Sequence, residues 1–193
     1  HKFSKNDATV LFMKKLLFGL LATFSLFSCK QDDPNTTLQT VESMDPAQYV
    51  GVWYEISSIP QFFSAGCNCT QAEYQIRANG TVNVKNTCNL FSPTGLLNKI
   101  SGTATIVEGS NNAKLNVSFF GNPTNSTVGN YWIVELASDY SYSVVGDPLF
   151  STLFILSRSR TMPQEQIDGI LARMSALGFD VSKVKKTNQN NCL

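Results

Sequence analysis

Gly51 and Trp53 stand at the start of a β-patterned stretch of the chain, and together they limit the folds open to it. Glycine lets the backbone bend where a side chain would collide, and an indole two residues later is large enough to fill the taper of a closing sheet. The pair therefore predicts a barrel with one end plugged by Trp53. Because a glycine two residues before a tryptophan is common in proteins, this prediction depends on the sequence around it.

Seven further strand patterns follow this motif, each with alternating apolar and polar residues and each bounded by turn residues. Asn79-Gly80 is the clearest turn among them, since this dipeptide favours the tight turn of a β-hairpin. The predicted strands are 73–78, 81–87, 100–107, 114–120, 131–136, 142–145 and 152–157. Eight strands with mostly short connections predict an all-β fold, an eight-stranded up-and-down antiparallel β-barrel.

One helical pattern follows the last of these strands. Met162-Pro163 opens it, because proline is tolerated in the first turn of a helix, and Gly178 ends it. The apolar residues that recur at helical spacing are Ile167, Ile170, Leu171, Met174 and Leu177. A single apolar stripe predicts one C-terminal α-helix packed outside the barrel, and Val181 and Val184 beyond it predict a short extra strand.

The N-terminal segment has the pattern of an exported protein. Residues 1–12 are interpreted as an upstream, non-native extension. Residues 13–28 are interpreted as a signal peptide, because they have a charged start and an apolar run of about 12 residues. A helix needs about 20 apolar residues to span a bilayer, so the alternative of an N-terminal membrane anchor helix is less favoured.

The end of this segment, Leu26-Phe27-Ser28-Cys29, resembles the lipobox of bacterial lipoproteins, whose cysteine is acylated and becomes the new N-terminus. Acyl chains such as palmitate on Cys29 would hold the protein at a membrane. Residues 29–44 are then the lipidated N-terminus and a polar tether, and residues 45–193 are the folded domain. This predicts a lipid-anchored protein of the bacterial outer membrane, on its periplasmic face or at the cell surface.

Charge and histidine content exclude several function classes. From Cys29 onward the acidic side chains slightly outnumber the basic ones, and no lysine or arginine stripe appears, so nucleic acid is not a predicted partner. His1 is the only histidine and precedes the predicted mature chain, which excludes histidine triads and histidine metal sites there. Asp139 and Asp147 fit turns better than paired catalytic carboxylates. The sequence predicts a protein that is not an enzyme and has no cofactor or metal.

Four cysteines remain besides Cys29: Cys67, Cys69, Cys88 and Cys192. An even number in an exported domain favours two disulfides, and three pairings are possible. The alternative is a metal site of four thiolates, although Cys-x-Cys is a poor spacing for structural zinc. An unpaired Cys67 or Cys69 with a lowered pKa is the one enzymatic alternative left.

Three stretches resemble the sequence motifs of the lipocalin family. They are 51–56 on the first strand, 137–140 with Ser138 in place of threonine, and 154–158 at the end of the last strand. The resemblance implies structural roles for Gly51, Trp53, Asp139, Tyr140 and Arg158. In particular, it implies that the Arg158 guanidinium lies on the Trp53 indole and caps the barrel floor by a cation–π contact.

Two further regions are similar to particular branches of this family. Residues 178–183 resemble the bacterial outer-membrane lipoprotein lipocalins, whereas residues 69–74 and Asn191-Cys192 resemble apolipoprotein D. The second resemblance implies a Cys69–Cys192 disulfide, which leaves Cys67 and Cys88 for each other.

An eight-stranded barrel can hold one small ligand, and the alternation of residues along each strand predicts which side chains face it. The predicted ligand-binding residues are Tyr74, Ile76, Leu115, Val117, Phe119, Trp132, Val134, Tyr142, Val144, Phe154 and Leu156. The direction of residues 131–136 is ambiguous, because Tyr131 and Ile133 are as apolar as their neighbours.

The resemblance implies a membrane-anchored lipocalin that carries or stores a small hydrophobic ligand in an apolar calyx. A fatty acid or lysophospholipid fits, with its polar head at the open end. One alternative is a cell-surface interaction or adhesion lipoprotein with a filled barrel. Another is a cysteine-dependent lipid-isomerising lipocalin. The oligomeric state is left open.

Overall fold

The computed structural model describes residues 38–192. It contains two α-helices, α1 (Pro46–Tyr49) and α2 (Gln164–Ala176), and two 3-10 helices, Phe62–Ser64 and Val181–Lys183. The strands are β1 (Gly51–Ser58), β2 (Cys67–Ile76), β3 (Val82–Leu90), β4 (Leu97–Ile106), β5 (Lys114–Ser118), β6 (Tyr131–Leu136), β7 (Tyr142–Gly146), β8 (Leu153–Ser157) and β9 (Lys185–Lys186). Within this range no helix is both long and apolar enough to cross a membrane.

The first eight strands close into a barrel. Strands β2 to β8 pair in chain order, every pair is antiparallel, and β1 pairs with both β8 and β2. Gly51–Tyr54 lie opposite Gln71–Tyr74 of β2, and the rest of β1 lies opposite β8. The predicted fold class, an eight-stranded up-and-down antiparallel barrel with a C-terminal helix outside, is confirmed.

The loops alternate between the two ends of the barrel because neighbouring strands run in opposite directions. One end, here called the base, contains α1 and the turns 77–81, 107–113 and 137–141. The other end, here called the mouth, contains four loops, at 59–66, 91–96, 119–130 and 147–152.

Two hydrophobic clusters lie on the two faces of the sheet. The inner cluster fills part of the barrel, and its fully buried members include Trp53, Ala104, Ile133 and Val145. The outer cluster joins the sheet to α2 through Ile167, Ile170 and Met174, the buried residues of that helix. The apolar stripe read from the sequence therefore packs against the outside of the barrel, as predicted.

Three strands extend further toward the mouth than the sequence indicated. β2 begins at Cys67 instead of residue 73, β3 ends at Leu90 instead of residue 87, and β4 begins at Leu97 instead of residue 100. Alternation is poor in these extensions, and the β2–β3 register shifts between Asn68 and Gln71. Pairing with a neighbouring strand, which the sequence pattern does not report, keeps these residues in the sheet.

The predicted boundary between tether and domain, after residue 44, is placed too late. Residues 38–44 lie against the barrel, where Leu38 and Met44 are buried and the Val41 amide donates to Ile133 O at 2.9 Å. These apolar side chains recur at every third position of an otherwise polar segment, which lets it pack on the barrel. The extension 1–12, the signal peptide 13–28 and Cys29 lie outside the described residues.

The C-terminal tail fills the space where β1 and β2 separate. β9 pairs with Ser57 and Ser58 of β1, and the Cys69 amide of β2 donates to Asn188 O at 2.8 Å. The predicted extra strand is thus present, but it lies at Lys185–Lys186, and Val181 belongs to a 3-10 helix.

The four cysteines form two disulfides, with the pairing that the resemblance implied. Cys67–Cys88 links β2 to β3 across a sequence separation of 21, and Cys69–Cys192 links β2 to the tail across a separation of 123. Because the stabilisation by a disulfide grows with the length of the loop it closes, the Cys69–Cys192 bond contributes more in the chain-entropy picture. Since each of the four sulfurs is bonded to one other sulfur, they do not form the alternative metal site.

Candidate ligand-binding site

Trp53 closes the base of the barrel. Its side chain is fully buried, its ring N–H donates to Tyr49 O at 2.8 Å, and its ring centre lies 4.9 Å from that of Tyr49. The Arg158 guanidinium carbon lies 3.8 Å from the centre of the indole ring, the cation–π contact that the resemblance implied. Together these contacts seal the floor beneath the interior.

Arg158 also fixes the segment that leads into β1. Its guanidinium donates to four backbone oxygens at 2.7–3.2 Å, those of Gln48, Tyr49, Val50 and Val52. Desolvation lowers the pKa of Arg158 from its ordinary value, but a guanidinium stays charged at any pH a protein experiences. The side chain is therefore structural, because it joins the end of β8 to α1.

Gly51 is required at this junction by its backbone conformation. Its φ is 94°, a value that residues with a side chain rarely adopt. A Cβ there would lie 3.4 Å from the Arg158 guanidinium, which is ordinary contact. The strained backbone, more than lack of space, excludes other residues.

Asp139 and Tyr140 form the turn between β6 and β7. Asp139 accepts a hydrogen bond from the Ser141 amide at 3.0 Å. Hydrogen bonding from the Ser141 side chain, together with this amide bond, lowers the pKa of Asp139. The Tyr140 hydroxyl accepts from the Asp45 amide at 2.9 Å and so ties the turn to the start of α1. Both residues lie at the base and hold its loops together.

Four hydroxyl groups form a hydrogen-bonded chain inside the base. Tyr49 Oη lies 3.1 Å from Ser143 Oγ and 2.8 Å from Tyr131 Oη, and Tyr131 Oη lies 3.0 Å from Tyr74 Oη. Burial raises the pKa of Tyr49 to about 12 and also raises the pKa of Tyr74 and of Tyr131. These phenols therefore stay neutral at physiological pH.

This hydroxyl chain has more protons than internal hydrogen bonds. Four O–H groups make three contacts, so at least one proton can be donated to a group outside the chain. A cavity of about 20 Å³, enough for one water, adjoins Tyr49, Tyr74 and Tyr131. The rest of its lining is Met44, Pro46, Val50, Ile76, Val82, Ile106, Leu115 and Val117.

Seven of the eleven predicted ligand-binding residues face the interior. Six belong to the inner cluster: Tyr74, Leu115, Val117, Phe119, Phe154 and Leu156. Ile76 lines the small cavity at the base. The structure thus brings these seven together, and their contact with a ligand stays a prediction.

The predicted inward orientation is wrong for Trp132, Val134, Tyr142 and Val144. All four belong to the outer cluster beneath α2. The Tyr142 hydroxyl donates to the Glu135 carboxylate at 2.6 Å, and that carboxylate also accepts from Arg173 of α2. These residues attach the helix to the barrel and do not line its interior.

The error has a physical cause in β6. The β6–β7 register shifts between Ile133 and Glu135, so alternation counted from one end of the strand gives the opposite face at the other end. Moreover, α2 covers this part of the barrel, so both faces of β6 and β7 are apolar and the pattern does not distinguish them.

Sequence reasoning therefore missed the residues that do face inward on these strands, Tyr131, Ile133 and Val145. It also missed Tyr49, which precedes the first strand. One signal was available, the apolar stripe of the C-terminal helix. A strand covered by such a helix is apolar on both faces, so its inward residues have to be assigned from the strands that pair with it.

Several inward-facing residues near the mouth keep contact with solvent. Ile100 is 38% exposed, yet it pairs with Asn86, which in turn pairs with Ala72 of the inner cluster. Val117, Phe119 and Phe154 are also only partly buried. Because these side chains point away from the outer surface, the solvent that reaches them lies inside the barrel.

Two buried side-chain oxygens, Asn86 Oδ1 and Thr70 Oγ1, have no hydrogen-bond partner among residues 38–192. A buried polar atom without a partner costs free energy, so such atoms usually bind water or a ligand. Asn86 shares the inward face with Ala72 and Ile100. Its side chain is therefore a polar group available to the contents of the barrel.

A larger groove, of about 410 Å³, lies outside the barrel. Its walls are Ile56, residues 160–162 and residues 186–190 of the tail. It contains none of the predicted ligand-binding residues, and half of its lining is polar tail. The barrel interior remains the candidate site.

Residues 44–189 match the family model of the lipocalin-like domain. The chain is 35% identical to apolipoprotein D of Cavia porcellus over 196 residues, which cover 95% of this chain and 96% of that protein. It is 32% identical to outer membrane lipoprotein Blc of Escherichia coli strain K12, over 87% of this chain and 92% of that one. It is 31% identical to temperature-induced lipocalin-1 of Arabidopsis thaliana, over 80% and 84% of the two chains.

Solved structures show the same fold. Insecticyanin from the tobacco hornworm Manduca sexta superposes with a TM-score of 0.60 at 22% identity, over 80% of this chain and 85% of that one. Lobster apocrustacyanin A1 superposes with a TM-score of 0.57 at 20% identity, over 82% and 93% of the two chains. With the family model matched over most of its length, and relatives above 30% identity along nearly all of it, the chain belongs to the lipocalin family.

Proposed function

We propose that this lipocalin binds a small hydrophobic ligand in its barrel and carries or stores it. The observation that supports this most directly is the solvent exposure of inward-facing apolar residues, with Ile100 at 38%. A barrel filled by its own side chains would bury such residues. Covering them with an apolar ligand removes their surface from water, at about 25 cal/mol per Å².

The electrostatics of the interior favour an amphiphile with its apolar end toward the base. The raised pKa values of Tyr49 and Tyr74 reflect an environment that disfavours charge. A carboxylate or phosphate would therefore stay at the mouth, in water, while an acyl chain enters. A fatty acid or a lysophospholipid fits this arrangement, and the similarity to proteins named apolipoprotein D supports a lipid ligand.

We also propose that the protein is a binder and not an enzyme. Cys67 and Cys69 are both in disulfides, which removes the thiolate that the enzymatic alternative requires. Asp147 accepts hydrogen bonds from the Leu149 and Thr152 amides and so stabilises its own loop. Asp139 likewise stabilises a turn.

Titration with a dansyl-labelled undecanoic acid tests ligand binding, and two adjacent substitutions provide a matched comparison. Ile100→Asp places a charge in the interior, whereas Ser101→Asp places the same charge on the outer face, opposite Lys85. We expect wild type and Ser101→Asp to bind the probe with similar affinity. Ile100→Asp should bind at least tenfold more weakly.

Two results would contradict this proposal. If neither wild type nor either variant takes up the probe, the filled-barrel adhesion alternative is favoured instead. If both substitutions weaken binding equally, the site does not lie inside the barrel. If wild type does bind the probe, mass spectrometry of lipids that purify with the protein would identify its natural ligand.

We propose further that Cys29 is acylated and holds the protein at a bacterial outer membrane. The lipobox-like Leu26–Cys29 and the similarity to the E. coli outer membrane lipoprotein support this. In a bacterial host the mature protein should fractionate with the outer membrane and show the mass increase of an acylated N-terminal cysteine. A Cys29→Ser variant should lack that increase. An unmodified Cys29 in the wild-type protein would refute acylation.

A further inference from the structure

The mouth presents most of the exposed large apolar side chains of the molecule. Residues 38–192 expose ten such side chains: eight lie in or directly beside the loops of this end, Ile100 faces the interior, and Ile76 lies toward the base. We call these eight the apolar rim: Phe62, Phe63, Phe91, Leu96, Leu97, Phe120, Val128 and Leu149. An exposed apolar patch of this kind marks a surface that contacts something other than water.

Every loop of the mouth contributes to this rim. Phe62, Phe91, Phe120 and Leu149 come from the four different loops, and they are 92%, 86%, 87% and 82% exposed. A single exposed residue would need no explanation, but one from each of four loops forms a ring around the opening.

The loops that carry the rim have no exposed charge. Residues 59–66, 91–98 and 119–130 contain no charged residue at all, and residues 147–152 contain only Asp147, which is 7% exposed. Their other residues are mainly Asn, Ser, Thr, Gly and Pro. Each of the three turns at the base, in contrast, carries a charged residue, Arg77, Glu108 or Asp139.

Part of the rim is held in position by the backbone. Phe91 has a φ of 66°, a conformation that bulky residues rarely adopt, and its amide donates to Gly66 O at 2.7 Å. Its ring lies over Gly66, where a Cβ would come within 3.1 Å of it. The Phe62 and Phe63 rings pack edge to face. The exposed aromatic rings are therefore built features of these loops.

We propose that the apolar rim docks on the surface of a lipid bilayer, with the mouth facing the membrane. Entering the hydrocarbon region is costly for charged groups, and aromatic residues are enriched at the membrane interface. Four loops that carry four exposed phenylalanines and uncharged polar neighbours, with no exposed charge of their own, meet both conditions. A protein partner of ordinary composition would not require the complete absence of charge from four separate loops.

The length of chain between Cys29 and the barrel is compatible with docking on a bilayer. Leu38 is nine residues after Cys29, so an anchor at Cys29 would keep the barrel within about 30 Å of the bilayer. Weak contacts of the rim then act at a high effective concentration. The rim and the acylated cysteine would form two separate attachments to one membrane.

Docking in this orientation has a consequence for ligand exchange, which rests on the proposed function. The mouth is the opening through which an acyl chain must pass, and a mouth on the bilayer lets the chain enter without crossing water. Docking itself requires only the rim, so it can be tested on ligand-free protein.

Quenching of tryptophan fluorescence by brominated lipid tests the proposal. The full chain is reconstituted in uncharged phosphatidylcholine vesicles, with or without bromine on the acyl chains, as the Phe120→Trp, Leu149→Trp or Asn79→Trp variant. Asn79 is the matched control, because it lies in an exposed turn at the base. Trp53 and Trp132 are buried, and their signal is measured in the parent protein.

We expect brominated lipid to quench the two rim tryptophans at least twofold more than the base tryptophan. Because the rim has no exposed charge, raising the salt concentration to 0.5 M should leave the quenching unchanged. The same result is expected in an Ile100→Asp background, which separates docking from ligand binding.

Three outcomes would overturn the proposal. Equal quenching at the rim and the base means that only the anchor holds the protein at the membrane. Stronger quenching at the base means the opposite orientation. Unquenched rim tryptophans, together with a dimer that Phe120→Asp converts to monomer, mean that a second copy of the chain covers the rim.

Discussion

The two ends of the barrel differ in how much of their side-chain surface is buried and hydrogen-bonded. At the base, Trp53 is fully buried, the Arg158 guanidinium binds four backbone oxygens, and the hydroxyls of three tyrosines and Ser143 are linked by hydrogen bonds. At the mouth, eight large apolar side chains are exposed and inward-facing residues such as Ile100 still meet solvent. The base is closed by specific contacts, whereas the mouth has unused apolar surface.

This difference separates stability from function. Because the base is complete without any partner, substitutions there should reduce the free energy of unfolding. Because the apolar groups of the mouth are not buried in the free protein, substitutions there should change ligand or membrane binding and leave stability nearly unchanged. Measurements of stability and binding for substitutions at the two ends test this distinction.

The largest expected effect is that of Trp53→Ala. The indole is 0% exposed and is covered by Tyr49 and Arg158, so its removal leaves a cavity that the closed floor cannot refill. We expect a loss of about 3–5 kcal/mol in the free energy of unfolding, measured by urea denaturation at constant slope.

Leu149→Ala at the mouth is the control for this measurement. Its side chain is 82% exposed, so we expect a change within about 0.5 kcal/mol. Similar losses for the two variants would show that the base and the mouth do not differ in their contribution to stability.

Arg158→Lys should have the next largest effect. A lysine is a single point charge without the planar fork of arginine, so it cannot reach four carbonyls that surround a guanidinium. Carbonyls left without a donor cost free energy, and we expect a loss of about 2 kcal/mol.

The matched control is Arg173→Lys. Arg173 binds the Glu135 carboxylate instead of backbone carbonyls, and its side chain is half exposed. Exposed ion pairs contribute little, so the loss should stay below about 1 kcal/mol. A larger loss at Arg173 than at Arg158 would place the more important arginine on the helix instead of the base.

These base contacts are also the part of the site that the sequence predicted well. Trp53, Arg158 and Gly51 lie in short segments whose residue types are dictated by local geometry, so a motif identifies them directly. The eight strands were predicted because their alternation and turn residues are local features as well. Strand ends at the mouth were missed, since Cys67–Gln71 belong to the sheet only through pairing.

The interior of the calyx was predicted for β2, β5 and β8 but not for β6 and β7. On β2 and β5, apolar and polar residues alternate and only one face is covered. On β8 both faces are apolar, and its inward residues were assigned by counting back from Arg158. On β6 and β7, α2 buries the outer face, and the register shift after Ile133 reverses the alternation. The packing of Leu38 and Met44 on the barrel and the hydroxyl chain through Tyr49 depend on contacts distant in sequence, which one sequence does not show.

Alkaline pH should lower the free energy of unfolding by a smaller amount, which grows as the pH rises. A phenol has an ordinary pKa of about 10 in the unfolded chain, whereas burial raises that of Tyr49 to about 12 in the folded protein. Above pH 10 the unfolded state therefore releases protons that the folded state retains, and stability falls with rising pH. Each such phenol should cost about 1.4 kcal/mol per pH unit between pH 10 and 12.

Urea denaturation at pH 9, 10 and 11 measures this slope. Tyr74→Phe removes one buried phenol, so the fall in the free energy of unfolding with pH should be shallower by the contribution of one phenol. Absorbance at 295 nm should show the buried phenols ionising only as the protein unfolds. An unchanged slope in Tyr74→Phe would mean that this hydroxyl is ionised in the folded base.

The smallest effect on stability is expected for Phe120→Ser at the mouth, and it is the sharpest test of the comparison. The phenylalanine ring is 87% exposed, so folding buries little of its surface and its removal should change the free energy of unfolding by less than about 0.5 kcal/mol. A loss above 1 kcal/mol would show that the ring is part of the packed barrel, and the mouth would then resemble the base. The same variant should still bind the dansyl-labelled fatty acid, because Phe120 lies on the rim and not among the inward-facing residues. A variant that is as stable as wild type, binds ligand as well, and yet contacts bilayers less would assign Phe120 a role in docking alone.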